Sequence, residues 1–277
     1  MSSTMPHAAA IMFLAMSLIP AGDAAGKVLT TQGIAPVYVA WSRFLIGALL
    51  ILPFFGREAR SLAGDWRIWL RGALLACGIT SIQTALKTAP IGDVFAAFFV
   101  GPLVSYILAG LFLKEPMSKQ RTALVFMGFI GVLLVVRPGG AMQPGLLFAV
   151  LAGVFYGAFL TASRWVSDVA SPGALSVSQL IIGAILLTPL GWPNIPPLTP
   201  AIIGLTLASA AFSMAGNFIL LFAYRMAPAT SLSPLVYFQL FAAVLLGWLV
   251  FGDLPDLWTL CGMAIILAAG ITVARLR

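Results

Sequence analysis

The feature that most constrains this chain is that its second half repeats landmarks of its first half. The segment at residues 87–90, Lys-Thr-Ala-Pro, returns at residues 225–228 as Arg-Met-Ala-Pro, an offset of 138 residues. A chain built from two copies of one unit is expected to fold into two similar halves, here residues 1–138 and 139–277. The same offset joins three further pairs: Glu115 with Asp253, Arg137 with Arg275, and Pro6 with Pro144.

The stretches between these landmarks are too apolar for a water-soluble protein. Hydrophobic residues make up 61% of the 277 residues, and charged residues only 8%. A soluble surface needs far more charge, so lipid must surround most of this chain. Its two cysteines lie in apolar segments and His7 is its only histidine. We therefore expect no disulfide framework, no metal site, no cofactor and no catalytic residues, and hence no enzyme.

Ten apolar stretches are long enough to cross the hydrocarbon core, which takes about 20 residues of helix. They must be helical, because an open strand edge in lipid would leave backbone groups without hydrogen bonds. The five predicted spans of the first copy are Ala8–Thr30, Pro36–Phe55, Ile68–Lys87, Ile91–Lys114 and Lys119–Val136. The five of the second copy are Gly145–Val166, Pro172–Leu190, Pro200–Met226, Ala229–Phe251 and Leu257–Ala274.

The number of spans in each copy sets the orientation of the two halves. Because five is odd, the second copy enters the membrane from the opposite side, and an axis in the membrane plane relates the halves. With the N-terminus in the cytoplasm, eleven of the fifteen lysines and arginines fall on that side, Arg71 being counted in the loop after the second span. This excess predicts an inner (cytoplasmic) membrane protein with both termini inside, and it explains the net charge of +7 without nucleic-acid binding.

Charged residues inside spans are costly and usually have a partner or a function. Asp23 and Lys27 share one face of the first span and can pair. Arg43 in the second span lies at a depth similar to that of Asp23. We therefore predict an Asp23–Arg43 bridge, shared with Lys27. Two interpretations stay open, namely a site for a substrate carboxylate or a proton, and a buried ion pair that fastens the first two helices together.

Other charged residues have simpler interpretations. Lys87 and Asp93 flank a turn at the outer face, which predicts a solvated salt bridge. Glu115 and Asp253 each precede a proline near the start of the next helix, which predicts that they cap or orient it. Glycine pairs four residues apart, Gly22 with Gly26 and Gly153 with Gly157, favour close helix crossings.

Polar side chains near the middle of spans are candidates to line a cavity for a small organic molecule, although the same groups can hydrogen-bond between helices. At the repeat offset Asn217 maps to Ile79, close to Gln83, so we expect the two halves to present amides to a common site. The candidate substrate or coupling residues, in addition to Asp23, Lys27 and Arg43, are Ser81, Gln83, Tyr106, Tyr156, Gln179, Asn217, Tyr237 and Gln239.

Four sequence features resemble the drug/metabolite transporter superfamily, in its EamA-type branch. They are the five-plus-five layout, Trp41-Ser42-Arg43-Phe44 in the second span, Leu86-Lys87-Thr88-Ala89 after the third, and Leu113-Lys114-Glu115-Pro116 closing the fourth, with Phe251-Gly252-Asp253 as its weaker second copy. The family usually has Gly-Glu at that closing position, so each copy departs by one residue. The resemblance implies helices around a central cavity that opens to one side at a time, and transport of small organic metabolites such as amino acids, nucleosides, vitamins or amphiphilic drugs.

Taken together, these features predict an all-α membrane protein of ten transmembrane helices, arranged as two inverted five-helix repeats around a central cavity. The predicted function is secondary transport of a small organic metabolite by alternating access, with export of an amino acid or similar compound favoured. The alternatives are import of a vitamin- or nucleoside-like metabolite, and a passive facilitator or channel. The expected partners are a small-molecule substrate and the lipid bilayer, with protons as a candidate coupling ion. The sequence does not determine the oligomeric state.

Overall fold

The computed structural model describes residues 4–114, 118–137, 143–226 and 237–275, and its regular elements in those ranges are all helical. These include a 3-10 turn at Trp192–Asn194 and a π-helical turn at Gly247–Phe251. The α-helices are α1 (Thr4–Thr31), α2 (Pro36–Ser61), α3 (Trp66–Leu86), α4 (Ile91–Phe98), α5 (Gly101–Phe112), α6 (Lys119–Val136), α7 (Pro144–Trp165), α8 (Pro172–Gly191), α9 (Pro200–Met226), α10 (Phe238–Leu246) and α11 (Leu257–Arg275).

Local sequence signals set several helix starts. Helices α2, α7 and α8 each begin at a proline, whose fixed φ suits the first turn and whose missing N–H would have had no partner there. Asp65 caps α3, because its side chain accepts a hydrogen bond from the backbone N–H of Arg67 at 2.9 Å. Ser171 caps α8 in the same way through the N–H of Ala174.

The protein is an all-α, multi-pass membrane protein. Among the described residues, six helical stretches are long and apolar enough to cross a membrane, and three shorter apolar helices accompany them. Large apolar side chains such as Phe54, Leu111 and Leu257 point outward, as a lipid-facing surface requires. The six stretches are Ala10–Thr31, Pro36–Phe54, Ile91–Phe112, Pro144–Trp165, Gly173–Asn194 and Pro200–Leu220.

The fourth predicted span is one crossing made of two helices, where the sequence predicted a continuous helix over Ile91–Lys114. The chain turns at Phe99 and Val100, between α4 and α5. Pro102 explains the break, because it lacks an N–H and its ring displaces the carbonyl of Phe98, four residues earlier. Of the ninth predicted span, Ala229–Phe251, the described part comprises α10 and the π-helical turn.

The helix packing follows the repeat. When each span of one half is replaced by its counterpart in the other half, each of the most closely packed pairs becomes another closely packed pair or stays the same pair. Helix α1 packs along α9, and its exchanged pair, α7 with α3, also packs closely. Helix α2 packs on α8 and α6 packs on α11, and each of these pairs maps onto itself. Inverted repeats produce this pattern. The predicted unit boundary between residues 138 and 139 lies outside the described residues.

The two ends of the bundle differ in how tightly α4 and α5 are enclosed. We call the end at which α1 finishes the outer end and the opposite end the inner end, following the predicted orientation. In α4, toward the outer end, Val94, Phe95, Ala96 and Ala97 are fully buried in the largest apolar core. In α5, toward the inner end, side chains such as Leu111 are largely exposed. The bundle is therefore packed more tightly around the fourth span at its outer end.

Candidate functional site

A buried ion pair joins the first two helices. Arg43 Nη1 of α2 donates to Asp23 Oδ1 of α1 at 2.6 Å, and each side chain is 7% exposed. The structure therefore confirms the Asp23–Arg43 bridge predicted from the matching depths of the two residues. Burying both charges in a low-dielectric interior is costly, so their remaining hydrogen-bonding groups also need partners.

Those partners come from α3 and α9. Gln83 Nε2 of α3 donates to Asp23 Oδ1 at 2.9 Å, and Arg43 Nε donates to Ser209 Oγ of α9 at 2.8 Å. Ser209 Oγ and Arg43 Nη2 both donate to the carbonyl oxygen of Gly22. We call these five residues the Asp23 cluster: Gly22, Asp23, Arg43, Gln83 and Ser209. It connects four helices drawn from both halves of the chain.

Two glycines of α1 make room for this cluster. A Cβ atom on Gly26 would collide with Gln83 Oε1 and would lie 3.0 Å from Arg43 Nη2. A Cβ atom on Gly22 would lie 2.8 Å from the backbone nitrogen of Ser213 in α9. The close crossing predicted from this glycine pair is therefore confirmed, and it lets the neighbouring side chains reach the backbone of α1.

One hydrogen-bond acceptor of the cluster has no partner within the described part of the chain. Gln83 is fully buried, yet its Oε1 accepts no hydrogen bond. An unsatisfied buried acceptor costs about 1–3 kcal/mol. The amide orientation follows from the contact with Asp23, since a flipped amide would turn its oxygen toward the carboxylate. This oxygen instead packs closely against Gly26.

Lys27 pairs with Asp253 instead of Asp23, contrary to the predicted shared bridge. Its Nζ lies 2.9 Å from Asp253 Oδ2, donates to the carbonyl of Ala89 at 3.0 Å, and lies 4.5 Å from the centre of the Phe251 ring. The reason is depth, because Lys27 is one helical turn nearer the outer end than Asp23. The capping hydrogen bond that was predicted for Asp253 is made by Asp256.

Asp256 caps the last helix, and it also forms a second ion pair at the outer end. The N–H of Thr259 donates to Asp256 Oδ1 at 2.9 Å, and Arg137 Nη2 donates to Asp256 Oδ2. The hydrogen bond from Arg137 holds the pKa of the Asp256 carboxyl below its usual range. We call Lys27–Asp253 and Arg137–Asp256 the outer ion pairs. Each joins a residue of the first half to one in the segment between the last two spans.

The other predicted charged contacts at the span ends are not observed. Lys87 is exposed and makes no ion pair with Asp93 within the described residues. Asp93 lies instead beside the hydroxyl of Thr259. Glu115 falls outside the described residues. In the ranges that the structure describes, no group of three or more His, Cys, Asp or Glu side chains is placed to hold a metal ion.

Aromatic rings form a continuous row from the inner end toward the middle of the bundle. Phe159 lies 5.8 Å from Tyr156, which lies 5.0 Å from Phe98, at the end of α4. Phe98 lies 6.5 Å from Phe99, which stacks on Tyr237 with ring centres 5.2 Å apart. We call these five residues the aromatic row. It includes two predicted candidates, Tyr156 and Tyr237, and runs through the break between α4 and α5.

Four other predicted candidates lie outside both groups. The hydroxyl of Tyr106 lies 3.0 Å from Thr122 Oγ1 and ties α5 to α6. Gln179 and Gln239 are partly buried on α8 and α10, and Gln179 Oε1 has no hydrogen-bond partner among the described residues. Ser81 is buried on α3 but makes none of the hydrogen bonds of the Asp23 cluster.

Asn217 does not join Gln83 in a shared amide site. It is exposed, and its Nδ2 donates to the carbonyl of Ser213 in its own helix at 2.8 Å. The second half contributes Ser209 instead, two turns nearer the outer end of α9. At the repeat offset Ser209 maps onto Arg71, another polar residue that the structure buries.

Arg71 is the main residue that the sequence placed wrongly. The sequence assigned it to the loop after the second span, but α3 begins at Trp66 and Arg71 is 6% exposed. Its Nε donates to Ser163 Oγ at 2.7 Å and its Nη1 to the carbonyl of Leu175 at 2.8 Å. The signal that could have located it is Asp65, an N-cap residue that starts the helix before Arg71.

The amino-acid sequence is similar to those of transporters. The sequence profile of the EamA-like transporter family matches residues 7–137 and, separately, residues 143–275. The chain is similar to the S-adenosylmethionine uptake transporter of Rickettsia conorii, with 30% identity over 257 residues that cover 89% of this chain and 85% of the relative. It is also similar to the riboflavin transporter of Brucella anthropi, with 26% identity covering 89% and 90% of the two chains.

Two further similarities extend over nearly the whole chain. The pseudopaline exporter of Pseudomonas aeruginosa is 24% identical, and the match covers 86% of each protein. A chain of known crystal structure superposes with a TM-score of 0.64 at 20% identity, covering 98% of this chain and 96% of that chain. At this level of identity the superposition shows a shared fold.

Proposed function

The chain belongs to the EamA-like transporter family, and from this premise we propose that it carries a small organic metabolite across the bacterial inner membrane by alternating access. The family and the relatives' names are those of small-molecule transporters. The observation that carries the proposal is the Asp23 cluster, a buried charged site held by helices from both halves. A site held in this way changes when the halves move relative to each other.

The cluster is proposed as the place where the substrate's polar group binds. Of the two interpretations of the Asp23–Arg43 bridge, the functional one is supported by the buried acceptor Gln83 Oε1, which has no partner among the described residues. A purely structural ion pair gains nothing from an unsatisfied acceptor beside it. An ammonium or hydroxyl group of a substrate would satisfy this oxygen, and proton movement at Asp23 is the proposed coupling step.

The outer ion pairs are proposed to hold the outer end of the pathway shut in this conformation. Each joins a residue of the first half to one in the segment between the ninth and tenth spans. The neighbouring helix α4 is almost completely buried, whereas α5 toward the inner end is not. Opening the outer end would require the Lys27–Asp253 and Arg137–Asp256 contacts to separate.

The proposed substrate carries a flat aromatic ring, and the proposed direction is uptake. S-adenosylmethionine and riboflavin, which the relatives' names specify, both contain a flat nitrogen-containing ring system. The aromatic row supplies faces on which such a ring can stack, as Phe99 and Tyr237 stack on each other. The residues alone favoured export, which the pseudopaline exporter supports. The uptake transporter of Rickettsia conorii is more similar, and it favours import.

Transport assays in proteoliposomes test the proposal. We expect the purified protein to take up S-adenosylmethionine or riboflavin with saturation, and an unlabelled pool inside the liposomes to accelerate exchange. The Asp23→Asn variant should lose most of this activity, whereas Asp168→Asn, the same change at an exposed site, should keep it. A folded Asp23→Asn variant with unchanged transport and unchanged pH dependence would remove Asp23 from the mechanism. Linear flux without exchange acceleration would identify a passive channel.

A further inference from the structure

Arg71 differs from the other buried charged side chains of this protein. Within the described residues, the buried charged side chains are Asp23, Lys27, Arg43 and Arg71. The first three are in ion pairs, Asp23 with Arg43 and Lys27 with Asp253. No described carboxylate lies within ion-pair distance of Arg71. The protein therefore buries one guanidinium without an anion from its own described side chains.

A buried guanidinium without an anion is costly in a membrane protein. Arginine stays protonated in proteins, so it cannot avoid the cost by losing its charge. Intramembrane charges of this kind usually pair with one another or mark the path of a substrate or an ion. The buried guanidinium of Arg71 therefore points to a role for its charge.

The guanidinium is held with one side available. Its Nε and Nη1 are fixed by Ser163 Oγ and the carbonyl of Leu175, and its centre lies 4.8 Å from the centre of the Phe159 ring. The third nitrogen, Nη2, makes no hydrogen bond to the described residues. It is also not fully buried. A fixed guanidinium with a free N–H edge suits an oxyanion, whose oxygens accept such hydrogen bonds.

Its position connects the inner end of the bundle with the aromatic row. Arg71 lies about 8 Å along α3 from the start of that helix. The start itself is marked by an edge-to-face contact between Trp66 and Trp165, as expected for aromatic residues at a membrane interface. Phe159, over which Arg71 lies, is the first ring of the aromatic row. Arg71 therefore lies beside the first ring of the row, at the inner end of that row.

We propose that Arg71 forms an oxyanion site at the inner end, which binds a carboxylate or phosphate group. This proposal rests on the proposed transport function, and it specifies that the substrate carries such a group in addition to its aromatic ring. Of the two proposed substrates, S-adenosylmethionine has a carboxylate and riboflavin has neither group, so the oxyanion site favours S-adenosylmethionine. The same oxyanion chemistry is available from a phospholipid headgroup. Ser163 and the Leu175 carbonyl act as positioning groups, because they touch the guanidinium and leave its Nη2 edge open.

Thermal unfolding of the purified protein in an uncharged detergent tests the site. At constant ionic strength, succinate and inorganic phosphate should each raise Tm with a saturable concentration dependence, and chloride should not. Arg71→Gln should abolish the rise. Arg71→Lys should weaken the apparent affinity for both anions at least about tenfold, because an ammonium cannot reproduce the fixed fork of the guanidinium. Arg67 lies one turn before Arg71, is partly exposed and pairs with Asp65. Arg67→Gln is therefore the matched control and should respond like the wild type.

Two further experiments distinguish a lipid headgroup from a free anion and cover the case in which Arg71→Gln does not fold. Nanodiscs containing phosphatidylglycerol or phosphatidylcholine separate the sources: Arg71-dependent stabilisation by phosphatidylglycerol that succinate does not compete with would assign the site to a lipid headgroup. If Arg71→Gln does not fold, calorimetric titration of the wild type with succinate and Ser163→Ala take its place. Saturable binding that Ser163→Ala weakens supports the site, and an absence of saturable binding overturns it.

The outcome is separable from that of the proposed function. If Arg71-dependent oxyanion binding occurs but neither S-adenosylmethionine nor riboflavin is transported, the oxyanion site stands and the proposed substrates are wrong. If transport occurs and Arg71→Gln changes neither anion-dependent Tm nor the Michaelis constant for S-adenosylmethionine, the oxyanion site is wrong and the transport proposal stands.

Discussion

At the residue scale, the buried polar groups of this protein depend strongly on one another. Asp23 Oδ1 accepts hydrogen bonds from both Arg43 and Gln83, and Arg43 also reaches Ser209 and the backbone of Gly22. In a low-dielectric interior such hydrogen bonds strengthen one another, and a group left without a partner is costly. Removing one member therefore affects more than the contact that is lost.

This dependence gives a prediction for the Asp23–Arg43 pair. Asp23→Asn leaves a buried arginine uncompensated, so it should lower the free energy of unfolding by about 3–5 kcal/mol. Combining it with Arg43→Gln removes both charges and should restore part of that loss. Reversible unfolding in detergent of the wild type, both single variants and the double variant measures the coupling. Additive losses would show that the two side chains do not interact.

At the element scale, glycines decide how the broken fourth span packs. A Cβ atom on Gly153 of α7 would lie 2.5 Å from the carbonyl oxygen of Phe98 and 3.2 Å from the backbone nitrogen of Gly101. The backbone at the break thus approaches α7 more closely than any side chain would allow. Pro102 creates the break, and the break packs against Gly153 and Gly157 of α7.

We predict that Gly153→Ala destabilises the protein while a matched glycine change does not. The added methyl group would meet backbone atoms that cannot move freely, so the cost should be about 1–3 kcal/mol. Gly204→Ala in α9 is the control, because a methyl group added there would have no heavy atom of a neighbouring residue within 4 Å. Unfolding in detergent measures both variants. Equal stability of the two would contradict the close contact between α7 and the break.

Features that depend on residues close in the sequence were predicted well. Contacts between residues far apart in the sequence were not. Apolar length located most spans, and equal depth within two consecutive helices located the Asp23–Arg43 bridge. The α4–α5 break lies in an uninterrupted apolar stretch, where Pro102 is the only local signal. The partner of Lys27, Asp253, is 226 residues away, and no local pattern indicates it. The repeat gave the depth of Asn217 but not the direction of its side chain, which is exposed instead of facing Gln83.

At the scale of the whole molecule, ion pairs connect the ends of the two halves. Lys27 is buried, whereas Asp253 is 33% exposed on its side chain, so water can reach one side of this pair. Arg137–Asp256 forms a second connection nearby. Ion pairs of this kind stabilise the closed outer end when they are formed and can separate when water enters, as a gate requires.

Charge reversal tests the Lys27–Asp253 connection. Lys27→Glu places two carboxylates together and should open the outer end and abolish transport. Adding Asp253→Lys restores opposite charges and should recover a substantial part of the activity. Uptake in proteoliposomes, with protein amount and Tm measured alongside, reports the result. A double variant no better than Lys27→Glu, in a protein that folds normally, would show that the pairing itself is not required.

The most direct test of alternating access is to measure both ends of the bundle in one sample. After replacement of the exposed Cys77 and Cys261, spin labels at residues 32 and 254 report the outer end, and labels at residues 111 and 168 report the inner end. We predict that adding S-adenosylmethionine or changing pH shifts the two distances in opposite directions, one lengthening as the other shortens. Distances that lengthen together, or that stay fixed in every condition while transport continues, would contradict alternating access.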